Sequence, residues 1–211
     1  MVNYQPSDSE LSSFCEAMLG MYAIGRSLQP DLIIFPLRGA YPFFSCYQTI
    51  VALEKASMPQ VLLSPIGTCM DKSVRKERGM TKPEKIDILK SSLDEFLADS
   101  ADFKTILLID EVMMGGTILE HFSIIKKYLN LNSLCCNLKV CAIEDGKRQQ
   151  RGEYRNKARK FGFHQLRVDN LFVMDREQFL PLVIKGSYFR LFTDKEKLEK
   201  ITTRLTEMYS T

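Results

Sequence analysis

Histidine is nearly absent, with His121 and His164 the only two, and the six cysteines (Cys15, Cys46, Cys69, Cys135, Cys136 and Cys141) contain no C-x-x-C pair. Together these absences exclude a zinc site at the usual ligand spacing. Most of the cysteines sit in apolar or helical contexts. They read as small buried thiols, and the expected compartment is a reducing cytoplasm rather than the secretory route. No apolar run approaches the roughly 20 residues that a membrane-spanning helix needs. The opening stretch 1–14 is polar and acidic, without a basic n-region or an apolar h-region, so no secretory signal is expected there. One-signed charge is lacking too: the formal net charge is +3, too small to argue for nucleic acid alone. Two common phosphate loops, G-x-x-x-x-G-K-[ST] and G-x-G-x-x-G, do not occur. There is no internal repeat and no low-complexity segment.

What is present suits one α/β domain. The chain has 211 residues, 45% hydrophobic and 26% charged, enough for a single full core. Leu11, Phe14, Met18, Leu19 and Tyr22 recur at helical spacing, which predicts a helix over 8–28 capped by Ser7 or Asp8 and ended by Pro30. Leu32-Ile33-Ile34-Phe35 is a continuous apolar run suited to a strand buried on both faces. A helix over 43–56, a strand at 61–63, a long polar connection over 65–82 and a helix to about Ala98 follow. Strands at 105–109 and 138–143 bracket a helix at 116–129. After Asp145 the alternation fades: 171–174 reads as a strand and 194–209 as a terminal helix. Strands alternating with helices predict a mainly parallel, twisted sheet flanked by helices, with 146–211 as a small C-terminal hood or appended subdomain. Ligands of such sheets bind beyond the carboxyl ends of the strands, which singles out two loops, 36–42 and 110–117.

The second of these carries the clearest chemistry. It reads Asp110-Glu111-Val112-Met113-Met114-Gly115-Gly116-Thr117. A helix start offers unpaired backbone N–H groups and the positive dipole end, both suited to phosphate. Gly115 and Gly116 let the backbone approach an anion closely, and the Thr117 hydroxyl can add a hydrogen bond. Carboxylates are wrong for phosphate but right for a sugar diol, and Asp110 and Glu111 can hold Mg²⁺ through water. Phosphate at one end and diol at the other describes a ribose 5-phosphate. The alternative is an acidic helix cap with glycines packed on the sheet, which has no need for two acids and two glycines together.

Residues 106–118, four apolar residues, two acids, a short variable stretch, then small residues and a threonine, resemble the signature of type I phosphoribosyltransferases, which bind phosphoribosyl pyrophosphate. The resemblance implies that family's fold, a Mg²⁺-dependent transfer of ribose 5-phosphate to a nucleobase-like acceptor, and a homodimer. It implies that Leu37-Arg38-Gly39 forms the pyrophosphate loop, with a cis peptide near Leu37-Arg38, and that the charged stretch containing Lys72, Arg75, Lys76 and Arg78 closes over the site to neutralise the leaving group. An ordinary surface turn and a solvated loop are the respective alternatives. Met114 departs from the pattern, since relatives place threonine, serine, alanine or aspartate there. It removes one hydroxyl grip on the 5′-phosphate and the proton-transfer group of some purine-salvage members. A binding-only sensor or regulator therefore stands as the second reading.

Two further segments stand out. Lys147, Arg148, Arg151, Arg155, Lys157, Arg159 and Lys160 face the single acid Glu153. They read as a solvated helix, with RNA or another acidic partner as the sharper alternative. Phe161, Phe163, Phe172, Phe179, Tyr188, Phe189 and Phe192 are candidates for stacking on an acceptor base, though most are expected in the core. His121 and His164 are expected to be structural.

Overall fold

The computed structural model describes residues 5–36, 39–64, 82–98, 103–171, 179–184, 187–192 and 195–210. The elements run α1 (Asp8–Leu28), β1 (Leu32–Pro36), α2 (Tyr41–Leu53), β2 (Gln60–Ser64), α3 (Lys82–Ala98), β3 (Thr105–Val112), α4 (Gly116–Leu131), β4 (Asn137–Asp145), α5 (Gly152–Phe161), β5 (His164–Val168), β6 (Phe179–Ile184), β7 (Ser187–Phe192) and α6 (Lys195–Tyr209). A capping box starts α1: the Ser7 hydroxyl accepts from the Glu10 N–H, and the Glu10 carboxylate accepts from the Ser7 N–H.

Five strands form an all-parallel sheet in the order β2-β1-β3-β4-β5, and β6 and β7 form a separate antiparallel pair. Period-two alternation divides the sheet's side chains between two cores. Ile33, Phe35, Leu107 and Ile109 face α1, α2 and α6, meeting Phe14, Met18, Phe43, Ile50, Ile201 and Leu205. Leu32, Ile34, Ile106 and Leu108 face α3, α4 and α5, meeting Leu89, Leu93, Ile118, Phe122 and Tyr154. The result is a three-layer α/β fold, the class expected from the alternation of elements.

The strand order creates one special place. From β1 the chain moves outward to β2 through α2, then returns past β1 to β3 through α3. Right-handed crossovers in opposite directions put α2 and α3 on opposite faces. That makes the carboxyl ends of β1 and β3 the topological switch point, the place where open α/β sheets bind ligands.

Two expectations change. The regular alternation does not stop at Asp145: α5 leads into β5, which pairs in parallel with β4 from Cys141↔His164 to Asp145↔Val168. In addition, β3 runs past Ile109 to Val112, with Asp110↔Ala142, Glu111↔Ile143 and Val112↔Glu144 in register. The two acids are thus strand residues, and the connecting turn is only 113–115. The strand expected at 171–174 falls outside the described residues apart from Leu171, which is buried but not in a strand. Among the described residues, no helix is long and apolar enough to cross a membrane.

Candidate functional site

Because Asp110 and Glu111 are consecutive in a strand, they point to opposite faces of the sheet. Asp110 shares its face with Leu108 and Val112 and turns under α4. Its side chain is 1% exposed, its Oδ1 accepts from the Glu111 N–H at 2.9 Å, and its Oδ2 lies 3.5 Å from Nδ1 of the equally buried His121. Glu111, half-buried, shares its face with Ile109 and turns towards the loop after β1. There its carboxylate lies against Gly39: a Cβ on that glycine would stand 2.0 Å from Oε2 and 2.1 Å from Cδ. The two loops singled out by the sequence are therefore in contact, and Glu111 is the acid that joins them.

The turn after β3 is shaped by its glycines. Gly115 adopts φ +88°, a left-handed conformation, and a Cβ there would meet Cβ and Cγ of Tyr154 at 2.4 Å. Tyr154 is fully buried, and its hydroxyl donates to Glu144 Oε1 at 2.7 Å. Burial first, and then the Glu144 carboxylate, push this phenol above the usual tyrosine range. Gly115 is also the N-cap of α4, which has no side-chain cap and no acid in its first turn. The N–H groups of the first turn thus face outward from the carboxyl edge of the sheet, as anion binding requires. Thr117, the second residue of the helix, is half-buried, and Met114 is 47% exposed at the tip of the turn.

The basic segment after β4 packs against this same turn. Asp145 orders its start, accepting from the Lys147 N–H at 2.9 Å and lying 3.4 Å from the Arg148 guanidinium. The Arg151 N–H then donates to the Met114 carbonyl at 3.1 Å. A groove of about 560 Å³ opens between Gly116 and Arg151 and runs down the outer flank of α4, past Lys90, Lys127 and Lys157. Its described lining includes neither Glu111 nor Gly39.

No family model, curated protein or solved structure matches this chain. Of the residues singled out in the sequence, Gly39 and Glu111 come together, and Val112, Met113, Met114, Gly115, Gly116 and Thr117 form the strand end, turn and helix start between them and Arg151. Asp110 is present but faces His121 instead. Leu37, Arg38, Lys72, Arg75, Lys76 and Arg78 lie outside the described residues, as does the expected cis peptide. Of the candidate stacking aromatics, Phe163 is buried and Phe161 half-buried, and both pack on Phe122, with ring centroids 5.1 and 5.0 Å away. The side chains of the others are not described. His164, on the edge strand β5, contacts none of this site's residues in a described hydrogen bond or ion pair.

His121, expected to be structural, is buried on the apolar stripe of α4 beside Ile118, Phe122 and Ile125, the spacing that turns it to the sheet. Two residues at this turn are not legible in the sequence. Tyr154 gave no signal, since its role depends on a contact with a glycine 39 positions earlier in the chain. Arg151 is one of the basic residues over 147–160, and only the fold brings its N–H to the Met114 carbonyl.

Proposed function

We propose that this chain is a Mg²⁺-dependent phosphoribosyltransferase that transfers ribose 5-phosphate from phosphoribosyl pyrophosphate to a nitrogenous, nucleobase-like acceptor. The observation that carries the reading is the Glu111–Gly39 contact: it joins a diol-type acid, an uncapped helix start and the loop after β1 at the sheet's switch point. In the reaction the C1–oxygen bond to pyrophosphate breaks, a nitrogen of the acceptor bonds to C1 with inversion, and that nitrogen gives up its proton. The protein's part is positioning and electrostatics. Glu111 accepts from the ribose hydroxyls, the first-turn N–H groups and Thr117 hold the 5′-phosphate, and the loop after β1 faces the pyrophosphate.

The residues fit Mg²⁺ in a particular way. Among the described residues no three His, Cys, Asp or Glu side chains converge into a metal cage. Mg²⁺ bound to one or two carboxylates with most of its ligands from water and substrate phosphate needs no cage. Glu111 would hold the ion through water, and the ion would supply charge neutralisation for the departing pyrophosphate. Asp110 acts beneath the site, bracing the strand end through Glu111's own N–H. A homodimer and a cytoplasmic location belong to this reading as expectations.

The test uses Glu111→Gln, because Asp110→Ala would remove the buried neighbour of His121 and confound a loss of binding with a loss of folding. Binding of phosphoribosyl pyrophosphate with Mg²⁺ should weaken at least tenfold in Glu111→Gln, and pyrophosphate release with a panel of bases should be lost. Unchanged binding and turnover would overturn the assignment. The binding-only reading is favoured by one observation, the exposed thioether of Met114 where a hydroxyl is expected. Tight binding by the wild-type chain without pyrophosphate release for any base would select it.

A further inference from the structure

We propose that the groove along the outer side of α4 is a docking site for an acidic, amphipathic helix of a partner protein. Neither Glu111 nor Gly39 lines this groove, so its occupant does not depend on the ribose 5-phosphate reading.

The floor of the groove is apolar. Leu119, Ile124 and Tyr128 of α4 reach it from the buried side of the helix, and Ile86 of α3 adds to it. Leu131 lies at the end of α4 and is 67% exposed, the most exposed large apolar side chain among the described residues. It also lines a second hollow of about 410 Å³ between α4 and α5, together with Phe122 and Phe161. Apolar surface rimmed by charge in this way marks an interaction site.

The rim is cationic from α3 across to α5. Lys90 stands on α3, Lys127 on α4, and Arg151 and Lys157 at the start and in the middle of α5. Glu120 and Glu153 are the acids of the described lining, and Glu153 is matched by Lys157 at 3.1 Å. Lys90, Lys127 and Arg151 make no ion pair among the described residues. These cations are left for carboxylates that a partner brings.

Shape and chemistry together select that partner. α4 has 16 residues and is therefore about 24 Å long, which matches roughly four turns of a helix laid beside it. Apolar side chains on one face of such a helix would fill the floor, and acids flanking them would meet the lysines. Single-stranded RNA instead needs open aromatic faces on which bases stack. The rings here are already engaged: the Tyr128 hydroxyl donates to Asp94, and Lys126 covers Phe161 at 4.1 Å from the ring centroid.

The experiment titrates the full chain into fluorescein-labelled synthetic helices of about 18 residues, with anisotropy as the readout. One peptide carries leucines at helical spacing on one face and glutamates elsewhere. A second replaces every glutamate by glutamine, and a third replaces every leucine by alanine. A single-stranded and a duplex RNA complete the set. The leucine–glutamate peptide should bind at least about tenfold more tightly than either control peptide or either RNA. Lys127→Glu and Leu131→Ser should each weaken it by about fivefold or more. Both residues are exposed, so the urea midpoint of the free protein should not fall in either variant. Absence of binding by the leucine–glutamate peptide overturns the proposal, as does equal affinity for either control peptide. Binding unaffected by both substitutions overturns it too, since the peptide then sits elsewhere. RNA bound more tightly than any peptide, and lost in Lys127→Glu, would assign the surface to nucleic acid instead.

Discussion

The Glu111 carboxylate occupies the space that a side chain on residue 39 would fill, at 2.0 Å from the position of a Gly39 Cβ. Glycine is required here for what it leaves room for; Gly39 has no positive φ. In Gly39→Ala the atoms displaced are the far end of one side chain, so the stability cost should stay below about 1 kcal/mol. Ligand binding should suffer far more, because Glu111 is turned out of the site. In the Glu111→Ala background the same change should be neutral or stabilising, by roughly 0.4 to 1 kcal/mol from lost unfolded-state entropy. Urea denaturation of the four proteins closes the cycle. A penalty for Gly39→Ala that is equal in both backgrounds would show that the two residues do not compete for space.

Gly115 and Gly116 are neighbours in sequence with opposite tolerances. At Gly115 an added Cβ meets Tyr154 at 2.4 Å and the backbone is at φ +88°. Tyr154 cannot retreat, being fully buried and bonded to Glu144. Gly115→Ala should therefore cost at least about 2 to 3 kcal/mol, from overpacking and a left-handed backbone together. At Gly116 the nearest atom is 3.7 Å away and the residue is helical, so Gly116→Ala should be neutral or stabilising by up to about 1 kcal/mol. Equal urea midpoints for the two variants would contradict this account.

The central strands were legible because burial on both faces leaves a continuous apolar run. Leu32 to Phe35 and Ile106 to Ile109 announce themselves that way, and the helices between them by their periodicity. β5 did not, because His164-Gln165-Leu166-Arg167-Val168 is an edge strand. Its alternate residues meet water, and charged side chains keep an edge from pairing with other chains. The helix before it is equally quiet: only Tyr154 and Ala158 of α5 are buried, so its four basic residues mask a two-residue stripe. At the site, the motif placed the helix start at Gly116 correctly but put the two acids in the loop, where the structure has them in β3. It did not show that Asp110 and Glu111 face opposite sides, because that depends on where β3 ends. Two carboxylates are an unusual way to end a buried strand, and here the backbone pairing with β4 carries the strand through them.

The cysteines divide by position. Burial pushes the Cys15 and Cys141 thiols up to about 12, and Cys46 higher still. Cys135 is exposed. A thiol with a pKa near 12 is on the order of 10⁻⁴ ionised at pH 8, and only the thiolate is alkylated. Iodoacetamide at pH 8, mapped by peptide mass spectrometry, should label Cys135 and spare Cys15, Cys46 and Cys141 until urea is added. Labelling of those three at the Cys135 rate in native buffer would contradict the packing of α1, α2 and β4.

The tyrosine under Gly115 makes a pH prediction whose sign can be worked out. Burial first, and then Glu144, raise the Tyr154 phenol in the folded state above its ordinary value of 10.0. A raised folded-state value means that the stabilisation is fully present below pH 10. It is lost as pH rises beyond that, because the unfolded chain releases a proton that the folded chain keeps. Tyr22, Tyr47 and Tyr128 are raised too, mainly by burial, so total stability should fall above pH 10 whatever happens at Tyr154. Tyr154→Phe isolates one contribution, since the other three are common to both proteins and cancel in the difference. At pH 8 the variant loses a hydrogen bond to a carboxylate and should be less stable by roughly 1.5 to 3 kcal/mol. Between pH 10 and pH 11.5 that gap should narrow steadily, since phenylalanine has no proton to lose. Urea midpoints at pH 8, 10 and 11.5 measure it. A gap that stays constant across this range would mean that the folded state does not hold the Tyr154 proton, and the hydroxyl–Glu144 bond that pins the turn beneath Gly115 would have to be abandoned.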